Sequence, residues 1–268
     1  MQNNTVLQNS ISYNKALNTW FEELALPVAP ACNMMCNFCS KDSDCICNGN
    51  SPEYLSKSMT PKQAVDWALS QTNRNKRIKV IKICGPGEPL CNTQTFEVLR
   101  RLNIELPEHI YAISTNGLLL EEKVGELARL NVKIVSVAMN AVYIDTMLKL
   151  YSRIIKGSSV IVKSQEMADA ILGSQIQGMK LCIGMGINVK INAIYFPGIN
   201  YEDIIAIAKK CRDIGVKSIS IISSYPNGKF IRTVMPSIGE LAALQQELSK
   251  IVRDVEIKSF IPANAGTD

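Results

Sequence analysis

The sequence predicts an α/β fold, a partial (β/α)6 barrel, and three observations predict it. Strand and helix signals alternate along the chain, which is the pattern of parallel βαβ units. The 268 residues contain no internal linker and no repeat, so one large domain is the simplest arrangement. Finally, the strands are apolar on one face and carry small polar groups on the other. A doubly wound sheet would also give the alternation, but its strands are buried on both faces and read as continuously apolar. A barrel with a polar ligand inside gives the two-faced pattern, and its chemistry collects at the C-terminal ends of the strands.

The elements follow in order. Residues 1–25 read as a polar, partly helical lead-in, and residues 26–268 as the main domain. Leu26 to Pro30 is the first strand, and residues 40–58, rich in Ser, Asp, Asn and Gly, are loop. Thr60-Pro61-Lys62-Gln63 is a helix start, with an N-cap threonine, proline at the first helical position and glutamine at the capping-box position. Strands are expected at Ile78 to Cys84, Ile110 to Ser114, Val132 to Met139, Ile187 to Ile194 and Val216 to Ser223. Helices are expected at Phe96 to Leu102, Leu120 to Leu130, Lys163 to Met179 and Tyr201 to Ile214. Ser237-Ile238-Gly239-Glu240 opens a last helix with a second capping box. The two-faced strands are explicit: Lys190 and Asn192 lie opposite Val189 and Ile191, and Ser218, Ser220 and Ser224 opposite Ile219 and Ile221.

Composition excludes several classes. The net charge of +5 comes without a Lys/Arg run or interleaved aromatic and basic residues, so no nucleic-acid partner is expected. The N-terminus lacks a basic start followed by an apolar stretch, and no run approaches the ~18 apolar residues of a membrane helix. A soluble, cytoplasmic protein is the expectation. Nine cysteines, five of them between Cys32 and Cys47, are an odd number clustered in a chain without an export signal. That pattern points to metal rather than to a disulfide framework.

The cysteine loop follows the first strand directly: Cys32-Asn33-Met34-Met35-Cys36-Asn37-Phe38-Cys39. Three thiolates suit a catalytic [4Fe–4S] cluster whose fourth iron stays open. Structural zinc on Cys32, Cys36, Cys39 and Cys45 is the rival, although Cys36/Cys39 is the only C-x2-C knuckle. Strand two runs into Gly85-Pro86-Gly87-Glu88-Pro89, where glycines let the backbone approach a ligand closely. Strand three ends in Ser114-Thr115-Asn116-Gly117, whose hydroxyls and amide can hydrogen-bond a ribose or a carboxylate; the alternative is a plain Asn-Gly turn. Asn140, Asn192 and Ser224 occupy equivalent ends of later strands. Cys84, Cys91, Cys182 and Cys211 read as buried thiols, and His109, the single histidine, as surface.

C-x3-C-x2-C with an aromatic before the third cysteine resembles the signature of the radical S-adenosylmethionine (SAM) superfamily, and GPGEP resembles its GGEP motif. The resemblance implies a TIM-like partial barrel, three irons on Cys32, Cys36 and Cys39, and a fourth chelated by the SAM amine and carboxylate. It also implies Phe38 near the adenine and Glu88 holding the amine. Reductive cleavage of SAM would yield a 5′-deoxyadenosyl radical, with ferredoxin or flavodoxin as a low-potential electron donor. LPVAPACNMMCNFC, Asp44-Cys45, CGPGEPL, STNGLLL and GINVKINAIYFPGIN look closer still, and resemble the NifB family of nitrogenase-cofactor maturases over Leu26 to about Lys250. That implies metallocofactor assembly on an iron–sulfur substrate, with Cys45 as a possible auxiliary ligand. The sequence departs from the family pattern in carrying no His or Cys before Cys32 and no Cys after Cys211. A radical SAM enzyme acting on another small molecule or peptide, and a non-catalytic iron–sulfur or zinc module, are the alternatives.

Overall fold

A computed structural model describes residues 21–39 and 58–259 of the chain. The expected lead-in therefore lies almost wholly outside the described residues, as do Cys45 and Cys47.

All six expected strands form: β1 (Glu22–Ala29), β3 (Ile78–Pro86), β4 (Ile110–Thr115), β5 (Val132–Ala138), β8 (Asn188–Tyr195) and β9 (Ser218–Ser223). A seventh, β10 (Asp254–Lys258), extends the sheet beyond the expected count. The order is β1-β3-β4-β5-β8-β9-β10, every pair is parallel, and among the described residues β1 and β10 are the edges. This is an open barrel wall. Ile81, Ile83, Ile113, Val135, Val137, Val189 and Ile191 share one main core with the helices outside. In β10 the sequence DVEIK alternates, with Val255 and Ile257 against that core, so a segment that reads as polar tail is an edge strand.

The helices are α1 (Pro61–Arg74), α2 (Thr93–Glu105), α3 (Leu120–Arg129), α4 (Ile144–Leu150), α5 (Gln165–Gly184), α6 (Tyr201–Asp213) and α7 (Ile238–Leu248). Both capping boxes are formed. Gln63 N donates to Thr60 Oγ1 at 3.3 Å and Thr60 N to Gln63 Oε1 at 2.9 Å. Ser237 and Glu240 make the same exchange at the start of α7. Each satisfies two otherwise orphaned N–H groups, and removing such a cap costs about 1 kcal/mol. Among the described residues no helix is long and apolar enough to cross a membrane.

Inside the wall, at its N-terminal end, lies a charge network. Lys190, buried on β8, reaches Glu256 on β10 at 2.6 Å, and Ser220 Oγ donates to the same carboxylate at 2.6 Å. Buried Lys82 on β3 pairs with Glu23 on β1 at 2.6 Å. Burial pushes the Glu256 carboxyl up, but Lys190 and Lys258 outweigh it and hold it at about 2. A carboxyl held below its unfolded value of 4.5 binds fewer protons folded than unfolded, so its stabilisation is present above pH 4.5 and is lost as pH falls toward 2. Glu256→Gln is therefore expected to flatten that acid limb. Thermal midpoints taken from pH 5 down to about 2 should fall less steeply in the variant, and equal slopes would remove Glu256 from the account.

A second, three-stranded sheet caps the cysteine loop. It consists of β2 (Met34–Cys36), β6 (Tyr151–Lys156) and β7 (Ser159–Val162), with β2 antiparallel to β6 and β6 to β7. The hairpin β6–β7 and the short α4 lie between β5 and α5, where the sequence suggests only a long connection.

Candidate functional site

The cysteine loop is held from three sides. In the β2–β6 register Met34 opposes Ile154, Met35 opposes Arg153 and Cys36 opposes Tyr151. Asn37 then turns the chain: its N–H donates to Leu150 O at 2.7 Å, its Nδ2 to Lys149 O at 2.7 Å, and its Oδ1 accepts from Ser152 Oγ. From the far side Lys229 N donates to Asn37 O at 2.7 Å. Gly228, at φ +54°, sits where an added Cβ would come within 2.8 Å of both Asn37 O and Cys39 O. Cys32 and Cys39 are exposed and Cys36 is half-buried.

The GPGEP turn is clamped to the same loop. Gly87 N donates to Ala29 O at 2.6 Å and Glu88 N to Ala31 O at 2.9 Å. A Cβ on Gly87 would lie 2.2 Å from Ala31 O, so only glycine allows this approach. Asn92, which sequence reasoning leaves without a role, completes the clamp. Its Nδ2 donates to Ala31 O at 2.8 Å and Glu88 O at 2.7 Å, and its Oδ1 accepts from Ala31 N at 3.2 Å. The Cys91 thiol lies against Ala31 O and Glu88 O at 3.4 and 3.3 Å. Burial, and then the Glu88 carboxylate, push that thiol up to about 11, so it stays protonated.

Glu88 is 2% exposed. Its Oε1 accepts from Thr115 Oγ1 at 2.5 Å and Leu90 N at 3.0 Å, and its Oε2 from Asn116 N at 2.6 Å. Burial raises its pKa to about 7 against the three hydrogen bonds, which favour the ionised form. A carboxylate offers four acceptor positions, and three are filled here by the chain.

Asn116 reaches back to the cysteine loop, its Nδ2 donating to Asn33 Oδ1 at 2.8 Å. Its carbonyl accepts from Gln175 Nε2 at 2.8 Å, and the same amide bonds Ala138 O at 2.9 Å, tying the ends of β4 and β5 together. Gln175 on α5 and Tyr151 on β6 carry no motif, and nothing short of the fold reveals them. Asn140 Oδ1 accepts from Ile194 N at 2.8 Å, and its Nδ2 donates to Tyr151 OH at 3.1 Å.

One cleft gathers these groups. Cys32, Met34, Cys36, Gly87, Glu88, Thr115, Asn116, Ala138, Asn140 and Tyr151 line it. Gly85 lies at the end of β3, outside the cleft lining. Ser114 near the end of β4, Asn192 in the middle of β8 rather than at its expected end, and Ser224 just beyond β9 are buried outside the cleft lining; Ser224 Oγ has no partner among the described residues. Phe38 is 2% exposed, with its ring 5.2 Å from Phe196, 6.1 Å from Tyr151 and 6.3 Å from Phe230. It anchors the loop in a second hydrophobic core. Cys84, Cys182 and Cys211 are core, as expected; His109, expected at the surface, is half-buried where the chain enters β4.

The residues fit a cluster with SAM. Cys32 and Cys36 line a cleft whose wall holds a buried carboxylate and a glycine that admits close approach, and Cys39 lies exposed on the same loop outside that lining. Among the described residues no three His, Cys, Asp or Glu side chains gather tightly enough to grip a single ion.

The comparisons agree with this geometry. Residues 26–211 match the model of the Radical SAM superfamily, so the chain belongs to that superfamily and is an enzyme whose cofactors are a [4Fe–4S] cluster and SAM. In fold it is similar to Streptococcus suis SuiB bound to S-adenosylmethionine (TM-score 0.62, 18% identity, 97% of this chain and 56% of that one). A radical SAM methyltransferase from Sphaerobacter thermophilus is also similar (TM-score 0.60, 20% identity, 88% and 65%). Within the superfamily the chain is a member of the NifB family. It is 30% identical to the FeMo cofactor biosynthesis protein NifB of Methanocaldococcus infernus over 240 residues, covering 90% of this chain and 79% of that protein. The NifB of Chlorobaculum tepidum is 28% identical over 252 residues, and that of Azotobacter vinelandii 30% identical over 243. The chain spans only 58% and 44% of those two relatives, though 92% and 87% of its own length is covered.

Proposed function

We propose that Cys32, Cys36 and Cys39 hold the [4Fe–4S] cluster and that the chain cleaves SAM reductively in metallocofactor assembly, with an iron–sulfur precursor as substrate. The observation that carries this reading is the single cleft that brings Cys32 and Cys36 beside Glu88, Thr115, Asn116 and Asn140. The chemistry supplied by the bound pair is one-electron cleavage of SAM, fed by a small low-potential protein such as a ferredoxin or flavodoxin.

The chain's own residues do the positioning. Glu88, aimed by Thr115, Leu90 and Asn116, offers its remaining acceptor position to the SAM ammonium. The glycine backbone at Gly85 and Gly87 lets the methionyl end approach the cysteine loop. Asn116 and Asn140 present amides to the polar end of the nucleotide, and Ser114, Asn192 and Ser224 serve the wall beyond. Phe38 and Met34 exclude water from the loop. The radical SAM domain takes in β1 from Glu22 onward, ahead of the boundary expected at residue 26, and Cys45 is the candidate ligand for a substrate cluster.

The test is anaerobic reconstitution followed by iron, sulfide and product analysis. Iron near ~4 per chain with broad visible absorbance, and 5′-deoxyadenosine from SAM plus dithionite, are the expected results. Uptake of a second ~4 irons from added iron–sulfur precursor marks the assembly role. A fully loaded chain that forms no 5′-deoxyadenosine would overturn the reading.

A further inference from the structure

Two stretches of chain that flank the cysteine loop carry positive charge only. Between Asp145 and Glu166, residues 146–164 hold Lys149, Arg153, Lys156 and Lys163 and no carboxylate. Between β9 and Glu240, residues 225–239 hold Lys229 and Arg232 and again no carboxylate. These six cations exceed the net +5 of the whole chain, so elsewhere the charges all but cancel. None of the six forms an ion pair among the described residues. Lys156 turns to Ser174 Oγ at 2.9 Å, and the other five are exposed.

Both stretches touch the loop. Lys149 O accepts from Asn37 Nδ2 at 2.7 Å, and Arg153 opposes Met35 across the β2–β6 pair. Lys229 N donates to Asn37 O at 2.7 Å, and Lys229 Nζ donates to Ser152 Oγ on β6 at 3.4 Å, so the two stretches meet. Gly228 lies against Cys39 O, and Arg232, four residues on, stays within about 14 Å of that glycine. Exposed aliphatic groups stand among the cations: Ile155, Val160 and Val162 on the hairpin, and Ile231 and Val234 after Lys229. Val162 pairs with Arg153 and Val160 with Ile155, which puts these four on the face of the hairpin away from buried Ile154. Exposed apolar groups ringed by unneutralised cations suit an acidic protein. Single-stranded nucleic acid would instead call for aromatic platforms.

We propose that this face docks the electron donor, a small acidic one-electron carrier that settles with its redox group toward Cys39. This deepens the reading above and rests on its ligand assignment. Cys39 is exposed beside Gly228 and lies outside the SAM cleft, which Cys32 and Cys36 line. Donor and SAM thus approach the cluster from different sides, and neither blocks the other. Electron-transfer encounters are small and weak, and charge sets their on-rate more than their affinity.

The test is stopped-flow reduction of the reconstituted enzyme by an acidic flavodoxin, photoreduced to its hydroquinone. Wild type is compared with the double variant Lys163→Glu/Arg232→Glu and with Lys209→Glu, a charge reversal on exposed α6. Raising salt from about 0.01 M to about 0.1 M is expected to slow wild type about tenfold. At low salt the double variant should be slower by about as much, and Lys209→Glu should match wild type. With saturating dithionite all three should form 5′-deoxyadenosine equally, which separates docking from chemistry. A double variant reduced as fast as wild type would overturn the proposal, as would an equal loss in Lys209→Glu. Should the double variant fail to load, wild type decides through carbodiimide coupling of flavodoxin carboxylates to its lysines. Adducts at Lys149, Lys163 or Lys229 are expected, and adducts confined to other lysines, or none, would overturn the proposal. A wild-type chain that forms no 5′-deoxyadenosine with dithionite instead sinks the reading above and this inference with it.

Discussion

Cys36→Ala is expected to leave a folded, colourless protein that cleaves no SAM. The backbone around Cys36 is held without any metal, by the β2–β6 register, by Asn37 against Leu150 and Lys149, and by Phe38 in its aromatic cluster. Replacing the half-buried thiol by a methyl group leaves those contacts in place. The cluster, by contrast, loses one of its three thiolates and with it the geometry that leaves a corner open for SAM. Iron should fall from ~4 per chain to near none, the visible absorbance should vanish, and 5′-deoxyadenosine should drop to background. A normal circular dichroism spectrum alongside these losses separates ligand loss from unfolding; retained cleavage would remove Cys36 from the ligand set.

Glu88→Gln is the second large effect. A glutamine oxygen can replace Oε1 toward Thr115 and Leu90, but its NH2 then faces Asn116 N–H, donor against donor. An unpaired buried N–H costs about 1–3 kcal/mol. With the carboxylate's charge also gone, SAM binding is expected to weaken roughly tenfold to a hundredfold at 1.4 kcal/mol per decade. The wild type carries a further signature. Its Glu88 carboxyl, raised by burial to about 7, is neutral in more acid solution, so SAM affinity should climb as pH passes upward through 7. For the free protein the sign reverses. A folded pKa above the unfolded 4.5 means that folding binds protons, so this group's stabilisation is full below pH 4.5 and is lost as pH rises through 7. The glutamine variant should show neither slope. Calorimetric SAM titrations at pH 6 and 8, about one unit to each side of that pKa, read the first.

Much of this was legible in the chain itself. The six expected strands are apolar on one face over five or more residues, and that pattern survives without knowledge of the fold. So do the capping boxes, whose hydrogen bonds depend on residues three apart. The strand-end motifs were legible because Cys32, Gly87, Glu88, Thr115 and Asn116 are unusual residue types at predictable places. What was hidden follows from two causes. Strand β10 and the hairpin β6–β7 are short edge elements with charged or exposed positions, and three- to six-residue strands give periodicity too few repeats to register. Asn33, Asn92, Tyr151 and Gln175 act through long-range hydrogen bonds. An amide that pairs with a backbone carbonyl some sixty positions away leaves no mark on its own surroundings.

The pairing of β2 with β6 also bears on how the enzyme is made. The proposed cluster-binding segment precedes the strand that shapes it by more than a hundred codons, and the glycine that braces its far side comes later again. A nascent polypeptide on the ribosome thus displays bare thiols with no template around them. Iron and sulfide delivered before Gly228 has left the exit tunnel would meet an unshaped ligand set, so cluster loading is expected to follow the emergence of that glycine.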